Sequence, residues 1–286
     1  GLETELDQQY HRLFPNPVKA QPYQPTPSRS RRVVLAELYT GAGCPPCAGA
    51  ELAFDAALER FSQKEMAFLA YHLHIPRPDP MTNPDTVSRK DELQVRGTPT
   101  WFIDGKRDNG GGPREDSPQI FEKKLRGAIE ERLQAPAQAE LKLQVSRDGQ
   151  IVKVNCQVEE IQDRTPDLKL RIALTENHIR YTGENGVRFH SMAVRSLVSF
   201  SMENGPSSRL EHRFDLKKIS TALKEYLDHF ENNSERFGKF SFLEKKHLMD
   251  PNHLGVVAFL EDTKTKNILQ AVRFDLSPAK EGPVDE

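Results

Sequence analysis

Cysteine is scarce in this chain. Three occur in 286 residues, too few for a disulfide-built scaffold. Only two of them, Cys44 and Cys47, are close in sequence, and with no second pair they lack the further ligands that a structural zinc site needs. Long apolar runs are also missing: none approaches the roughly 20 residues of a membrane helix, so no membrane span is expected. Nor is there an excess of charge. Lys and Arg number 40 against 42 Asp and Glu, a net charge of −2, which gives no electrostatic case for nucleic acid as a partner. A recognisable signal peptide is absent too. Gly1 in place of Met, followed by a proline-rich leader, is nevertheless the kind of start left behind when a targeting signal or lipid anchor is removed. The expected location is therefore periplasmic or secreted, including attachment to a membrane through a removed N-terminal segment.

What is present centres on Gly41-Ala42-Gly43-Cys44-Pro45-Pro46-Cys47. The continuously apolar stretch Val33 to Tyr39 reads as a strand covered on both faces, and a helical pattern runs from Ala48 to Phe61. A cysteine at a helix N-terminus meets unpaired N–H groups and the positive end of the helix dipole, which favour the thiolate. Cys44 is thus a candidate nucleophile, and Cys47, one turn on, can resolve a mixed disulfide. The alternatives for such a pair are half of a metal site or an inert structural disulfide. Glu37 interrupts the apolar strand; a carboxylate buried near thiols could shuttle protons, or it could simply be satisfied by a backbone contact.

On the remaining periodicities, Leu2, Leu6, Tyr10 and Leu13 suggest a short amphipathic helix before Pro15. From Pro15 to Ser30 come five prolines, an extended segment draped over the surface. Arg29, Arg31 and Arg32 read as a solvated basic edge. Met66 to Ile75 gives a second buried strand, parallel to the first through a right-handed crossover. His72 and His74 close it and, two apart, share a face; with the cysteines they form a candidate site for copper or another thiophilic metal. Asn83-Pro84 caps a helix to about Leu93. Pro99 precedes a strand that turns at Asp104-Gly105, and Ser117-Pro118 opens a helix whose apolar face is Phe121, Leu125, Ala128 and Leu133.

The order strand, Cys-x-x-Cys, helix, strand, then Gly97-Thr98-Pro99-Thr100 before a strand and a last helix resembles the thioredoxin fold over about Val33 to Gln134. The resemblance implies that the proline at Pro99 is cis and faces the disulfide, and that Thr98 offers backbone hydrogen bonds to a substrate chain. Cys-Pro-Pro-Cys is most similar to secreted bacterial thiol:disulfide oxidoreductases, which implies protein thiols and disulfides as partners and no cofactor. The chain departs from that pattern in three places. Gly43 stands where the family has tryptophan, the turn is one residue longer, and about ten extra residues separate Cys47 from Pro99. Glu37 matches the family's buried acid only across the longer turn.

Past Pro136 the pattern becomes mostly strands. Leu141, Leu143 and Val145 alternate with polar residues, Asp148-Gly149 turns the chain, and Val152, Val154, Cys156 and Val158 alternate again. Cys156 therefore reads as a small core residue. Further strands are expected over Leu168 to Leu174, Val187 to Phe200, Arg209 to Leu216, Leu254 to Leu260 and Ile268 to Leu276. One amphipathic helix carries Ile219, Leu223, Leu227 and Phe230. The expected architecture is an N-terminal helix and leader (1–32), an α/β thioredoxin-like domain (33–135), and a mostly β, immunoglobulin-like sandwich with a helical insertion (136–280). That domain order loosely resembles a group of outer-membrane-associated bacterial proteins. No catalytic constellation occurs in the second half, whose expected job is partner recognition. Two classes of function follow: an oxidoreductase using Cys44, Cys47, Thr98, Pro99 and Glu37, or a binding, scaffold or copper-carrying protein on the same fold.

Overall fold

The computed structural model describes residues 1–27, 29–162, 164–202 and 208–276. Its centre is β1 (Val34–Thr40), buried at every position, which pairs in parallel with the equally buried β2 (Met66–His72). Between them runs α2 (Cys47–Arg60), after a first helix, α1 (Leu2–Leu13). Helix α3 (Pro84–Glu92) begins at Asn83, whose side chain accepts from the Asp85 and Thr86 amides in a capping box, as the Asn-Pro signal requires. Strand β3 (Thr100–Ile103) joins β1 antiparallel, and the Asp104-Gly105 turn returns the chain as β4 (Lys106–Asn109). Pro99 thus stands one residue outside the ladder, where its missing N–H breaks nothing. Helices α4 (Ser117–Ile120) and α5 (Arg126–Gln134), joined by a π turn at Phe121–Leu125, complete this mixed α/β arrangement.

The second half adds β5 (Glu140–Asp148), β6 (Ile151–Glu159), β7 (Leu168–Glu176), the short β8 (Ile179–Arg180) and β9 (Phe189–His190), β10 (Ala193–Ser201), β11 (Ser208–Asp215), α6 (Leu216–Asn233), β12 (Leu254–Asp262) and β13 (Ile268–Asp275). The run expected as one strand from Val187 to Phe200 is broken at Met192, whose φ is +52°. Part of it closes the β8–β9 hairpin around Asn185-Gly186, and the rest is β10.

The expectation of a free-standing sandwich is not met. One eight-stranded sheet runs β13-β12-β7-β10-β2-β1-β3-β4, so four strands of residues 136–280, of which 163, 203–207 and 277–280 lie outside the described residues, extend the sheet begun by residues 33–135. The seam is narrow: Ala193 of β10 faces Ala70 of β2, and the Ala70 amide donates to the Met192 carbonyl at 3.0 Å. The sheet curls until β13 packs against β1 and β2, and Val257, Phe259 and Ala271 share one core with Leu35, Leu38 and Phe54. On the outer part of this sheet lies a second, three-stranded one, β11-β6-β5. The core between them holds Val154, Cys156, Leu170, Leu174, Val256 and Leu260. Burial of alternate side chains from facing sheets drives this stacking.

The leader is draped over the body, with Val18 buried and the Tyr23 amide bonded to the Arg60 carbonyl. Asp7 of α1 pairs with Arg180 at 2.5 Å and Arg188 at 2.7 Å. The solvated basic edge needs correction at one residue: Arg32 is buried and paired with Asp104 at 2.7 Å, because the leader enters the sheet there.

Candidate redox site

The turn after β1 ends in a Cys44–Cys47 disulfide, S–S 2.08 Å. The Cys44 amide donates to Gly41 O at 3.0 Å and the Cys47 amide to Cys44 O at 2.9 Å. Together they wind the chain into α2, with Pro46 as its N-cap. Pro45 and Pro46 are exposed and need no donor at this position. The pair lies beyond the carboxyl ends of β1 and β2, where open α/β sheets bind ligands.

The structure brings Pro99 to this turn: a Cβ on Gly111 would lie 2.4 Å from Pro46 O and 2.5 Å from Pro99 Cγ. Only glycine fits between them. The Thr98–Pro99 bond is cis, and the Thr98 hydroxyl donates to Ile75 O at 3.0 Å. The sulfurs, however, are not open to solvent: Cys44 is 1% exposed and Cys47 0%. A Cβ on Gly43 would sit 2.6 Å from Arg77 Cβ, and Arg77 reaches over to Glu184 of the β8–β9 hairpin at 3.4 Å. That hairpin is tied to the same turn, since the Asn185 amide donates to Ala42 O at 3.0 Å.

Glu37 is not brought to the sulfurs. Strand side chains alternate: Leu38 and Thr40 face α2, while Glu37 points to the other side. There its carboxylate receives the Arg89 guanidinium at 3.1 and 3.2 Å and the Tyr71 hydroxyl at 3.0 Å. Arg89 also grips Glu261 at 2.8 Å, and Arg171 ties Glu261 to Glu92, both at 2.6 Å. Glu37 thus takes part in an ion-pair network with Arg89, and the contacts of its carboxylate favour a satisfied buried acid over a proton shuttle at the sulfurs.

The histidines at the end of β2 are also engaged elsewhere. His72 Nδ1 lies 3.0 Å from Asp79 Oδ2, whose carboxylate also accepts from the Ala42 amide at 2.7 Å. These contacts hold the Asp79 carboxyl below its ordinary range, against the opposing effect of burial. His74 stacks on Phe230 of α6 at 3.6 Å, and burial pushes its pKa down to about 4. Among the described residues no three His, Cys, Asp or Glu side chains are grouped to hold a metal ion. Cys156 is buried, its thiol pushed up to about 12 by desolvation.

Sequence reasoning missed the acid on the α2 face. Glu51, buried one turn after Cys47, accepts from the Thr40 hydroxyl at 2.6 Å and from the Asn185 side-chain Nδ2 at 3.1 Å. Its second oxygen lies 2.8 Å from His190 Nδ1. Burial raises the Glu51 pKa, but His190 outweighs it and leaves the carboxyl below its usual range; the same pairing holds the His190 pKa up. The signal was the spacing Cys47-x-x-x-Glu51-x-x-x-Asp55, which puts all three on one helical stripe.

No family model and no curated protein match the chain. Among solved structures it is similar to HBP35 of Porphyromonas gingivalis, with 15% identity, TM-score 0.59, and coverage of 90% of this chain and 80% of that one. A domain of the outer membrane lipoprotein Omp28 from Porphyromonas gingivalis also aligns, with 17% identity over 50% of this chain and 90% of that one. Its TM-score is 0.23. The first likeness supports the fold; the second is too distant to carry an argument. No helix among the described residues is long and apolar enough to cross a membrane.

Proposed function

We propose that the protein is an extracytoplasmic thiol:disulfide oxidoreductase acting on protein thiols or disulfides through Cys44 and Cys47. The observation that carries this reading is the Cys44–Cys47 disulfide, placed where a parallel strand pair meets the start of a helix, with Pro46 and Pro99 separated only by Gly111. A helix start favours a thiolate on the sulfur next to it. In the cycle Cys44 attacks, Cys47 resolves, and Thr98 and Pro99 lie along the incoming chain. Because both cysteines are buried, exchange requires the turn that holds them to open. The second half, bonded to Ala42 through its β8–β9 hairpin, helps decide which partner reaches the turn. The copper-carrier reading is weaker, since His72 and His74 are committed to Asp79 and Phe230.

A redox titration in glutathione or dithiothreitol buffers tests the proposal. The pair should interconvert reversibly as a two-electron couple, its ratio changing tenfold per about 30 mV. A disulfide that stays closed until the protein unfolds would mark it as structural and end the reading.

A further inference from the structure

Cys47, Glu51 and Asp55 follow one another at one-turn spacing along α2, and such neighbours stand about 5–6 Å apart at Cβ. What surrounds them comes from both halves of the chain. His190 Nε2 faces the Tyr181 carbonyl at 2.8 Å while Nδ1 faces Glu51. Both neighbours are acceptors, so the ring donates from both nitrogens and carries a positive charge beside the Glu51 carboxylate. His72 and His190 meet edge to face, centroids 5.0 Å apart.

A small cavity opens between these groups, lined by the polar Thr40, Glu51, Asp55, His72 and Ser191 and by three apolar side chains, and it has about the room of a single water molecule. His72, 1% exposed, has its Nε2 buried there with no hydrogen-bond partner among the described residues. A buried polar nitrogen without a partner costs stability unless something bonds to it. Asp55 and Ser191 also line a broad open groove with Tyr10, Phe14 and Phe189, so they form the wall between the cavity and solvent. The Ser191 side chain bonds to Asp55, but burial prevails and raises the Asp55 carboxyl to about 7, with Glu51 and Glu59 adding to the rise and His190 opposing it.

We propose that the cavity holds one water, and that Glu51, this water and Asp55 carry protons between Cys47 and the groove, with His190 of the second half fixing Glu51 in place. The inference rests on the oxidoreductase reading. In the closing step the Cys47 S–H proton passes through the Glu51 carboxylate and the water to Asp55. The Cys47 sulfur attacks the Cys44 sulfur, the Cys44–partner S–S bond breaks, and the partner leaves as a thiolate. Two electrons move from the cysteine pair to the partner disulfide, and no further oxidant is needed. The charged and titratable groups facing the path are Glu51, Asp55 and Glu59 from α2, His72 from β2, Asp79 from the loop after it, and His190 from the β8–β9 hairpin.

The test is the rate at which the reduced full chain closes its disulfide with oxidised glutathione, followed across about pH 5 to 9. General acid–base assistance is worth about 100-fold or more. Asp55→Asn and Glu51→Gln are each expected to slow closure at neutral pH by about 10- to 100-fold, and Asp55→Asn to remove an inflection near pH 7 that Asp55→Glu retains. Wild-type-like rates and pH profiles in Asp55→Asn overturn the proposal, whether or not Glu51→Gln folds. A wild-type chain that never closes its disulfide with glutathione overturns the oxidoreductase reading itself, and the proton path falls with it.

Discussion

The two faces of the central sheet both bury carboxylates, and they treat them differently. On the α3 face Glu37, Glu261 and Glu92 are matched by Arg89 and Arg171 in a continuous set of ion pairs. On the α2 face Glu51 is held by a histidine and a hydroxyl, Asp55 by a single serine, and His72 leaves one nitrogen open to a cavity. Burial alone therefore does not make an acid chemically useful. A carboxylate gripped by guanidinium groups has its oxygens taken up by ion pairs and offers none to a neighbouring reaction. Asp55, whose carboxyl burial raises to about 7 against the opposing Ser191 hydrogen bond, can change protonation near neutral pH.

That contrast is broken most severely at Arg89. Arg89→Met leaves Glu37 and Glu261 buried without their shared cation, and removing one partner of such a group costs about 3–5 kcal/mol. Denaturant unfolding should register that loss, while a cost near zero would show that the network is not closed.

The next effect belongs to Asp55. Its carboxyl, raised from the ordinary 3.8 to about 7, keeps a proton in the folded state that the unfolded chain has already released. Its contribution to stability is thus present below pH 3.8 and is lost as pH rises through about 7. Asp55→Asn should be more stable than wild type above neutrality, by a few degrees in melting temperature, with the gain vanishing towards about pH 4. A gain that does not vary with pH would sever the link to titration.

His74 has the opposite sign. With a folded pKa of about 4 against the ordinary 6.5, it stays neutral on Phe230 while the unfolded chain takes up a proton below 6.5. Stability is therefore lost as pH falls from 6.5 towards 4. His74→Phe keeps an aromatic stack and should flatten that acid-side loss in thermal melts at successive pH values. The smallest effect is expected at the Arg77–Glu184 pair beside Gly43. Arg77→Ala frees the exposed Arg77–Glu184 pair and should speed reduction of the disulfide by dithiothreitol about twofold to fivefold, the worth of an exposed ion pair.

Much of the first half was legible because its signals are local. Asn83-Pro84 and Asp104-Gly105 each specify a cap or a turn within four residues, as Asn185-Gly186 does in the second half, and the apolar run at Val34 specifies a buried strand. The pairing of β10 with β2, and of His190 with Glu51 across 139 positions, leaves no such trace, since either partner alone reads as an ordinary strand or helix residue. Glu37 stayed open between two readings for a related reason: its strand position was legible, but the face it points to was decided by Arg89, far along the chain. The Cys47, Glu51, Asp55 stripe was present in the sequence, yet the neighbouring apolar stripe of Ala50, Phe54 and Leu58 carried the stronger periodicity.

Trapping tests the central claim most directly. Cys47→Ser and Cys44→Ser chains are each incubated with a disulfide-bonded protein, quenched with acid, and resolved by mass spectrometry under non-reducing conditions. The account predicts a mixed disulfide through Cys44 in Cys47→Ser and none in Cys44→Ser. Equal trapping by both, or by neither, would contradict it.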